Sequence, residues 1–215
     1  MRQVSAVLTK RQEAERQERR ERILTAARKV FLKKGYLGAT IRDIALKAEL
    51  SPGLIYHYFD SKDGVYGQIC EEAFQILLQT ISKTDLSDLS PLAKLEALGK
   101  SYINFYIDYP EYFEIISFKE MGFKQVGLSG EIKERLNHLS VQSLSVLNDV
   151  VMEGVQNGTI QNAGSPWEIS ISLWSSIEGI IFIHKRGYLE MFNLDIMKLF
   201  EHQILPIILD GIRKK

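Results

Sequence analysis

The chain has 215 residues, and its 27 Lys and Arg side chains balance 27 Asp and Glu side chains, so the formal net charge at pH 7 is zero. Taken as a whole, this balance argues against a protein that binds nucleic acid through bulk positive charge. The one cysteine, Cys70, excludes an internal disulfide and is typical of a reducing compartment, so we expect a cytoplasmic protein. We expect no membrane partner, because no apolar run reaches the length of about 18 residues that a membrane helix needs.

The charge is distributed unevenly along the chain. Residues 1–62 carry 14 Lys and Arg against 7 Asp and Glu, a net charge of +7. Residues 63–215 carry 13 against 20, a net charge of −7. This asymmetry is typical of a basic nucleic-acid-binding segment attached to an acidic body, although charged residues that simply coat surface helices would also produce charge runs.

The first predicted helix covers residues 15–34. Its apolar residues fall on one face at helical spacing, and Gly35 supplies a left-handed stop. We expect residues 1–14 to be a flexible extension. The run from Lys10 to Arg22 alternates cations with glutamates, which favours a solvated helix with i,i+4 pairs over an arm that contacts DNA.

Two helix starts follow within the segment 40–62. Thr40 and Asp43 have the spacing of a capping box, and Ser51 followed by Pro52 is a second start signal. Glu49 lies at the turn between the two helices, where a positive φ would cost about 1 kcal/mol. Two short helices joined in this way form a helix-turn-helix, whose second helix enters the major groove of DNA.

The motifs of the first 62 residues occur in a fixed order. They are Ile23-Leu24, Ala26-Ala27, Phe31, Gly35-Tyr36, Thr40-Ile41, Asp43-Ile44-Ala45, Ser51, Gly53, Tyr56, Tyr58-Phe59 and Ser61-Lys62. This order resembles the N-terminal domain of the TetR family of transcriptional regulators over some 45 residues. The sequence departs from that pattern at Glu49, where glycine is common, and at Gly64, where glutamate is common, so that Ser61 alone caps the next helix.

The DNA contacts are predicted from this helix-turn-helix. Arg42 and Lys62 are the best candidates for phosphate contacts, and Lys62 lies at a helix start, where the helix dipole adds to its attraction for phosphate. The second helix and its cap supply the other candidates for phosphate or base contacts: Ser51, Pro52, Gly53, Leu54, Tyr56, His57 and Tyr58.

The rest of the chain is predicted to be helical. Apolar spacing and the positions of proline and glycine predict helices over about 63–82, 91–108, 110–120, 129–156, 166–186 and 193–212. We therefore expect an all-α fold, with a three-helix DNA-binding domain at 15–62 and a larger helical ligand-binding and dimerisation domain at 63–215.

Aromatic side chains are concentrated between Tyr102 and Phe123, and two tryptophans follow. Several of these side chains must form core, but buried tyrosines need hydrogen-bond partners, and an aromatic cavity with a few polar groups suits a small molecule. The family resemblance implies such an inducer pocket in this domain. We expect an apolar or aromatic effector that is held by residues such as Tyr102, Phe105, Tyr106, Phe113 and Trp174.

The last two predicted helices are apolar on more than one face. Either they are buried deeply within one monomer, or they pack on a symmetry mate. The family resemblance implies a four-helix dimer interface here. A homodimer would place two reading heads, the helix-turn-helix domains of its two protomers, against a palindromic operator.

The sequence gives little reason to expect an enzyme. The four histidines fall on separate predicted helices without metal-ligand spacing, and no P-loop, dinucleotide fingerprint or nucleophile elbow is present. We therefore expect no catalytic residue, metal site or cofactor. The predicted function is a ligand-inducible repressor; an activator, a regulator controlled by a protein partner, or a helical carrier protein with a vestigial DNA head are the alternatives.

Overall fold

The computed structural model describes residues 2–117, 128, 130–161 and 164–214, with side chains described from residue 11 onward. Its helices are α1 Arg2–Gly38, α2 Ile41–Ala48, α3 Pro52–Phe59, α4 Lys62–Ser82, α5 Pro91–Asp108, α6 Pro110–Ile116, α7 Gly130–Gln156, α8 Pro166–Lys185, α9 Tyr188–Met191, α10 Ile196–Leu199 and α11 Leu205–Ile212, with a π-helical turn, Phe200–Ile204, between the last two. Within these residues the only β pairing is an isolated bridge between Ile160 and Arg213. The all-α prediction is confirmed.

Most predicted boundaries lie close to the observed ones, and the differences are informative. The first helix begins at Arg2 and runs to Gly38, with a non-helical Gly35 at φ 68° inside it. The predicted flexible extension, residues 1–14, therefore forms part of α1 from Arg2, and its flexibility stays a prediction. Residues 118–120 of the helix predicted at 110–120 lie outside the described residues.

The chain divides by contacts into two units. The first combines residues 1–73 with 111–137, and the second combines residues 74–110 with 138–215. The segment around α6 and the start of α7 thus belongs with the N-terminal helices, which no pattern in the sequence had indicated. The predicted domain limits at residues 14/15 and 62/63 stay predictions.

The first unit has a core in which aliphatic and aromatic side chains of α1 to α4 are fully buried. Phe31, Tyr36 and Tyr66 pack against one another with ring centroids 5.0–6.0 Å apart. Tyr66 also donates a hydrogen bond over 3.3 Å to the carbonyl of Ile115 on α6. Such edge-to-face aromatic contacts stabilise by about 0.5–1.5 kcal/mol beyond the area they bury.

The helix α6 is tied to α1 by a second set of contacts. The Arg28 guanidinium donates to Glu111 over 2.7 Å and to the hydroxyl of Tyr112 over 2.6 Å, and it lies 4.4 Å from the Tyr112 ring centroid. A planar guanidinium that bonds in its plane and stacks on a ring is well fixed. These contacts hold α6 on the helical unit that carries the helix-turn-helix.

The second unit is built around α5, α7, α8 and the C-terminal helices. Gly99 on α5 allows the Phe200 ring to approach, because a Cβ at position 99 would lie 2.7 Å from that ring. Lys94 and Glu153 join α5 to α7 with a 2.7 Å ion pair. Leu98, Ile103, Phe105 and Ile181 are among the buried side chains of this core.

The predicted single helix at 193–212 is wrong in its middle. The helix α10 passes into the π-helical turn Phe200–Ile204, and the N–H of Leu205 bonds to the carbonyl of Phe200. Pro206 lies at the start of α11 and has no N–H to donate. A wider turn before a proline avoids the clash of its ring with the preceding helical carbonyls, which explains the π geometry.

Among the described helices, none combines the length and apolar character that a crossing of a membrane requires. Within the same part of the chain, no three His, Cys, Asp or Glu side chains are grouped so that they could hold a metal ion. Burial raises the pKa of the Cys70 thiol, which is consistent with a packed hydrophobic cysteine.

Candidate functional site

The helix α2 begins with the predicted capping box. The Asp43 N–H donates to Thr40 Oγ1 over 3.1 Å, and the Thr40 N–H donates to the Asp43 carboxylate over 3.1 Å. Lys34 also pairs with this carboxylate at 2.6 Å, and the pKa of Asp43 lies below its usual range because of the Lys34 and Thr40 contacts. The carboxylate therefore stays ionised at the positive end of the helix.

Glu49 occupies the turn after α2 in a left-handed conformation, with φ 55° and ψ 45°. The conditional prediction of a positive φ is confirmed by this geometry. The Glu49 carboxylate accepts a hydrogen bond over 2.9 Å from Arg22 on α1. This exposed ion pair offsets part of the backbone strain at the turn.

The helix α3 presents one face to solvent and packs the other. Ser51 Oγ accepts from the Leu54 N–H over 3.3 Å, so serine is the N-cap, and Pro52 stands in the first turn as predicted. Ile55 and Phe59 are buried. The exposed face carries Ser51, Pro52, Gly53, Tyr56 and His57, while Leu54 and Tyr58 are half-buried.

Two features make this face accessible to a large partner. A Cβ at Gly53 would have no heavy atom within 4 Å, so the N-terminal turn of α3 is open. Tyr56 is 51% exposed, so its ring and hydroxyl are open to a partner. Accessible backbone and side-chain donors at a helix N-terminus can contact phosphates and base edges.

The two predicted phosphate contacts differ in their surroundings. Arg42 on α2 is exposed. The Lys62 ammonium instead donates to the carbonyls of Tyr36 (2.9 Å) and Ala39 (3.1 Å), and it lies 4.2 Å from the Tyr36 ring centroid. Two of its three N–H groups are thus engaged in fastening α4 to the α1–α2 turn, a role that sequence reasoning missed. Its phosphate contact stays a prediction.

The start of α4 explains one departure from the family pattern. Ser61 Oγ accepts from the Gly64 N–H over 3.0 Å, as the sequence predicts for a cap without a partner glutamate. A Cβ at position 64 would overlap the carbonyl oxygen of Phe59. Any residue other than glycine would therefore require the chain after α3 to move.

A polar cluster in the second unit includes two of the residues predicted for the effector. Trp174 Nε1 donates to the Tyr102 hydroxyl over 3.2 Å, and that hydroxyl donates to Glu178 over 2.5 Å. Glu178 is buried, with 7% of its surface exposed. Burial and the neighbouring carboxylate raise the pKa of Tyr102 well above its usual range, so the hydroxyl remains a donor.

The other predicted effector residues are placed separately. The Tyr106 hydroxyl bonds to His184 Nδ1 over 2.7 Å, and Phe105 is buried and stacks on Tyr109. Phe113 is buried in the first unit. Glu178 and His184 were not predicted as site residues, although a lone glutamate within the apolar run 177–183 was a signal for a buried polar group.

A sequence profile described as bacterial regulatory proteins of the tetR family matches residues 23–69. The repressor NicS of Pseudomonas putida is 28% identical over 143 residues, which are 66% of this chain and 66% of that protein. The repressor DhaR of Mycobacterium sp. strain GP1 is 27% identical over 168 residues, which are 75% of this chain and 80% of that protein. The structure of FadR from Bacillus subtilis in complex with stearoyl-CoA superposes with a TM-score of 0.69 at 18% identity, covering 90% of this chain and 99% of that one.

The chain resembles the TetR family of transcriptional regulators, whose profile matches residues 23–69, and these findings together support a TetR family transcriptional regulator. It is a DNA-binding regulator of the repressor type, as the sequence predicts. The segment that matches the family profile, residues 23–69, contains every residue predicted to contact DNA.

Proposed function

We propose that this regulator is a ligand-inducible repressor that binds a palindromic operator as a homodimer in the cytoplasm. The observation that carries the proposal is the exposed face of α3, which offers a capped helix start, an open Gly53 and an exposed Tyr56 beside buried Ile55 and Phe59. A short helix of this kind can enter the major groove while its inner face stays packed on the unit behind it.

The proposed contacts divide into positioning and reading. Arg42 and Ser51, with the backbone around Pro52 and Gly53, bind phosphates, and Lys62 adds a phosphate contact with its remaining N–H group. Leu54, Tyr56, His57 and Tyr58 face the bases and the phosphates at the groove edge. Because α3 carries no Lys or Arg, phosphate contacts position the head, and a small number of contacts specify the sequence.

The proposed dimer forms through the C-terminal helices of the second unit. Ile171 and Phe182 on α8 are 42% and 46% exposed, and Ile207 on α11 is 72% exposed. A Cβ at Gly179 or Gly211 would have no heavy atom within 4 Å, so both helices also present open backbone. Apolar side chains with adjacent small residues support a helix pair that packs on its symmetry mate.

The proposed effector is an apolar or aromatic small molecule that binds in the second unit near Tyr102, Tyr106 and Trp174. The Trp174–Tyr102–Glu178 hydrogen bonds supply the few polar groups that orient a mostly apolar ligand. FadR of Bacillus subtilis holds stearoyl-CoA, whose long acyl chain belongs to this chemical class. Phe105 is a further candidate that is buried in the same unit, and Phe113 is a buried candidate in the first unit.

Release from DNA follows from differential affinity. If the effector binds more tightly to the dimer whose heads are not spaced for the operator, then effector binding lowers operator affinity by the same factor. A coupling of about 1–3 kcal/mol corresponds to a change of about 5- to 150-fold.

The deciding experiment measures binding to a DNA fragment from directly upstream of the protein's own gene by fluorescence anisotropy. The wild type is expected to bind with a steep dependence on salt. The variant Tyr56→Ala should lose binding while its mass by light scattering stays that of the wild type. The control Val141→Ala, at a 55% exposed site on α7, should bind as the wild type does.

Effector binding is tested on the same complex. A thermal-shift panel of long-chain acyl-CoA thioesters and aromatic acids should contain a compound that raises the melting temperature and releases the fragment. Operator binding that persists in Tyr56→Ala would show that α3 is not the reading helix. If no compound in the panel raises the melting temperature, the proposed small-molecule effector is wrong, and control by a protein partner is favoured.

A further inference from the structure

The helix α1 extends far beyond the unit that its second half helps to form. From Ile23 onward its inner stripe is buried, with Ile23 and Ala27 fully inaccessible. Residues 11–19 of the same helix are exposed throughout, and Arg20 is half-buried. With a rise of 1.5 Å per residue, the nine residues 11–19 alone span roughly 13 Å outside the packed core.

The inner stripe changes from apolar to basic at the point where it leaves the core. Helical spacing places Arg16 four residues before Arg20 and seven before Ile23, on the stripe that is buried farther along. Arg19 lies four residues before Ile23 on the same side. The Arg20 guanidinium is 5.2 Å from the ring centroid of Phe59, the last residue of α3. The basic stripe therefore begins at the C-terminal end of the reading helix.

The acidic side chains of this segment mostly lie on the other side. Glu18 is four residues before Arg22 and seven before Thr25, and both of those are exposed. Glu15 pairs with Arg11 at 3.1 Å on that outer side. Glu13 shares the inner side with Arg16, so the stripe carries three arginines and one glutamate.

The Arg16 and Arg19 side chains also lack an intramolecular partner, because within the described part of the chain neither forms an ion pair or a side-chain hydrogen bond. By contrast, Arg11, Arg22 and Arg28 each form an ion pair of 3.1 Å or less, and Arg135 pairs with Glu71. Exposed guanidinium groups on one stripe, free of carboxylate partners, are suited to bind phosphates.

We propose that Arg16 and Arg19 bind DNA phosphates that flank the groove read by α3. The inference rests on the proposed function, because it assumes that α3 lies in the major groove. Its basis is the juxtaposition of the basic stripe with the end of α3 through Arg20 and Phe59. The N-terminal part of α1 would then lengthen the DNA contact without adding to the sequence that is read.

The test compares the salt dependence of DNA binding among four forms of the full chain. Each phosphate contact contributes about 0.9 to the slope of log K against log salt on duplex DNA. Because the proposed dimer carries two copies of each arginine, the double variant Arg16→Gln/Arg19→Gln should lower the magnitude of this slope by about 3.6, on the upstream fragment and on unrelated DNA alike. Glutamine has nearly the helix propensity of arginine, so helicity by circular dichroism should not change.

Two controls isolate charge and position. Arg11→Gln removes a cation from the outer side of the same helix and should leave the slope unchanged. Arg16→Lys/Arg19→Lys retains both charges and should keep the wild-type slope. A wild-type slope in this variant would show that the glutamine variant loses binding through its missing charges and not through altered folding.

The outcomes separate this inference from the proposed function. An unchanged slope in the glutamine variant, with wild-type DNA binding intact, overturns the inference alone, and so does a slope that falls equally in the lysine variant. A wild-type chain that binds neither the upstream fragment nor the unrelated DNA overturns both proposals. A change of mass in the glutamine variant with an unchanged slope would assign the stripe to contacts between protein chains and overturn the phosphate assignment.

Discussion

Glu49 illustrates how a single residue can carry strain in the reading head. Its left-handed backbone joins α2 to the cap of α3, and the Leu50 N–H bonds to the carbonyl of Ala45 over 3.0 Å, which closes α2. Glycine adopts this conformation without the steric conflict of a Cβ, whereas other L-residues do so at a cost of about 1 kcal/mol. The Glu49 side chain is 83% exposed, so its ion pair with Arg22 offsets only part of that strain.

The variant Glu49→Gly should therefore be more stable than the wild type. The expected gain is about 0.5–1 kcal/mol, or about 1–4 °C in melting temperature for a chain of this size. Differential scanning calorimetry measures it directly. Glu49→Ala is the matched control, since it loses the ion pair but keeps the strained backbone, and its melting temperature should not rise. A lower melting temperature for Glu49→Gly would mean that the Arg22 contact outweighs the strain.

At the scale of elements, a half-buried carboxyl group lies where α4 packs near α1. Glu72 on α4 has a pKa above its ordinary value of 4.5, chiefly because of burial and then because of Glu21, with Arg20 and Arg28 acting in the opposite direction. The folded state therefore binds this proton more tightly than the unfolded state does. Stability is lost as the pH rises from 4.5 through the pKa of the folded state.

The variant Glu72→Gln should remove that loss. At pH 7 it should melt at a higher temperature than the wild type, and this difference should diminish as the pH falls below 4.5, where both side chains are neutral. Melting curves between pH 3.5 and 7.5 give the comparison. Glu131→Gln, at an exposed site on α7, should show no such trend. A stability deficit of Glu72→Gln that grows toward pH 7 would show that Arg20 and Arg28 dominate.

Helices with strong local signals could be predicted from the sequence, and the exceptions have local causes. The α5 and α8 bounds follow from Ser90-Pro91 and Ser165-Pro166, because a cap followed by proline acts within one turn. The π-helical turn was missed because the apolar residues around Pro206 continue at helical spacing. Only Pro206, which has no N–H, indicates that the helix geometry changes there.

The candidate site shows the same division between local and long-range causes. The inward and outward faces of α3 follow from spacing alone. The Lys62 contacts with Tyr36 and Ala39 join residues more than 20 positions apart, and so does the Tyr102–Glu178 hydrogen bond. Such pairs depend on tertiary packing, which neither helical period nor composition encodes.

At the scale of the whole molecule, the C-terminal helices expose apolar side chains that a second copy of the chain would cover. The sequence allowed either burial within a monomer or pairing with a second copy. In the second unit Ile207 keeps 72% of its surface in solvent, and the α8 side chains Ile171, Phe182 and Ile183 are also exposed. Burying each such side chain yields about 1.5–3 kcal/mol, and two-fold symmetry doubles every contact.

If the proposed homodimer forms through these helices, Ile207→Glu should convert it to a monomer. A carboxylate on each copy would be forced into an apolar interface, where an unpaired charge costs several kcal/mol more than the isoleucine gains. Multi-angle light scattering at micromolar concentration should show half the wild-type mass, and operator affinity should fall because each head then binds alone. Val141→Glu places the same charge at a 55% exposed site on α7 and should leave both the mass and the affinity unchanged. If the wild type has the mass of a dimer and Ile207→Glu keeps that mass and affinity, then α11 does not form the interface, because a charge buried twice in an apolar interface would have separated the two copies.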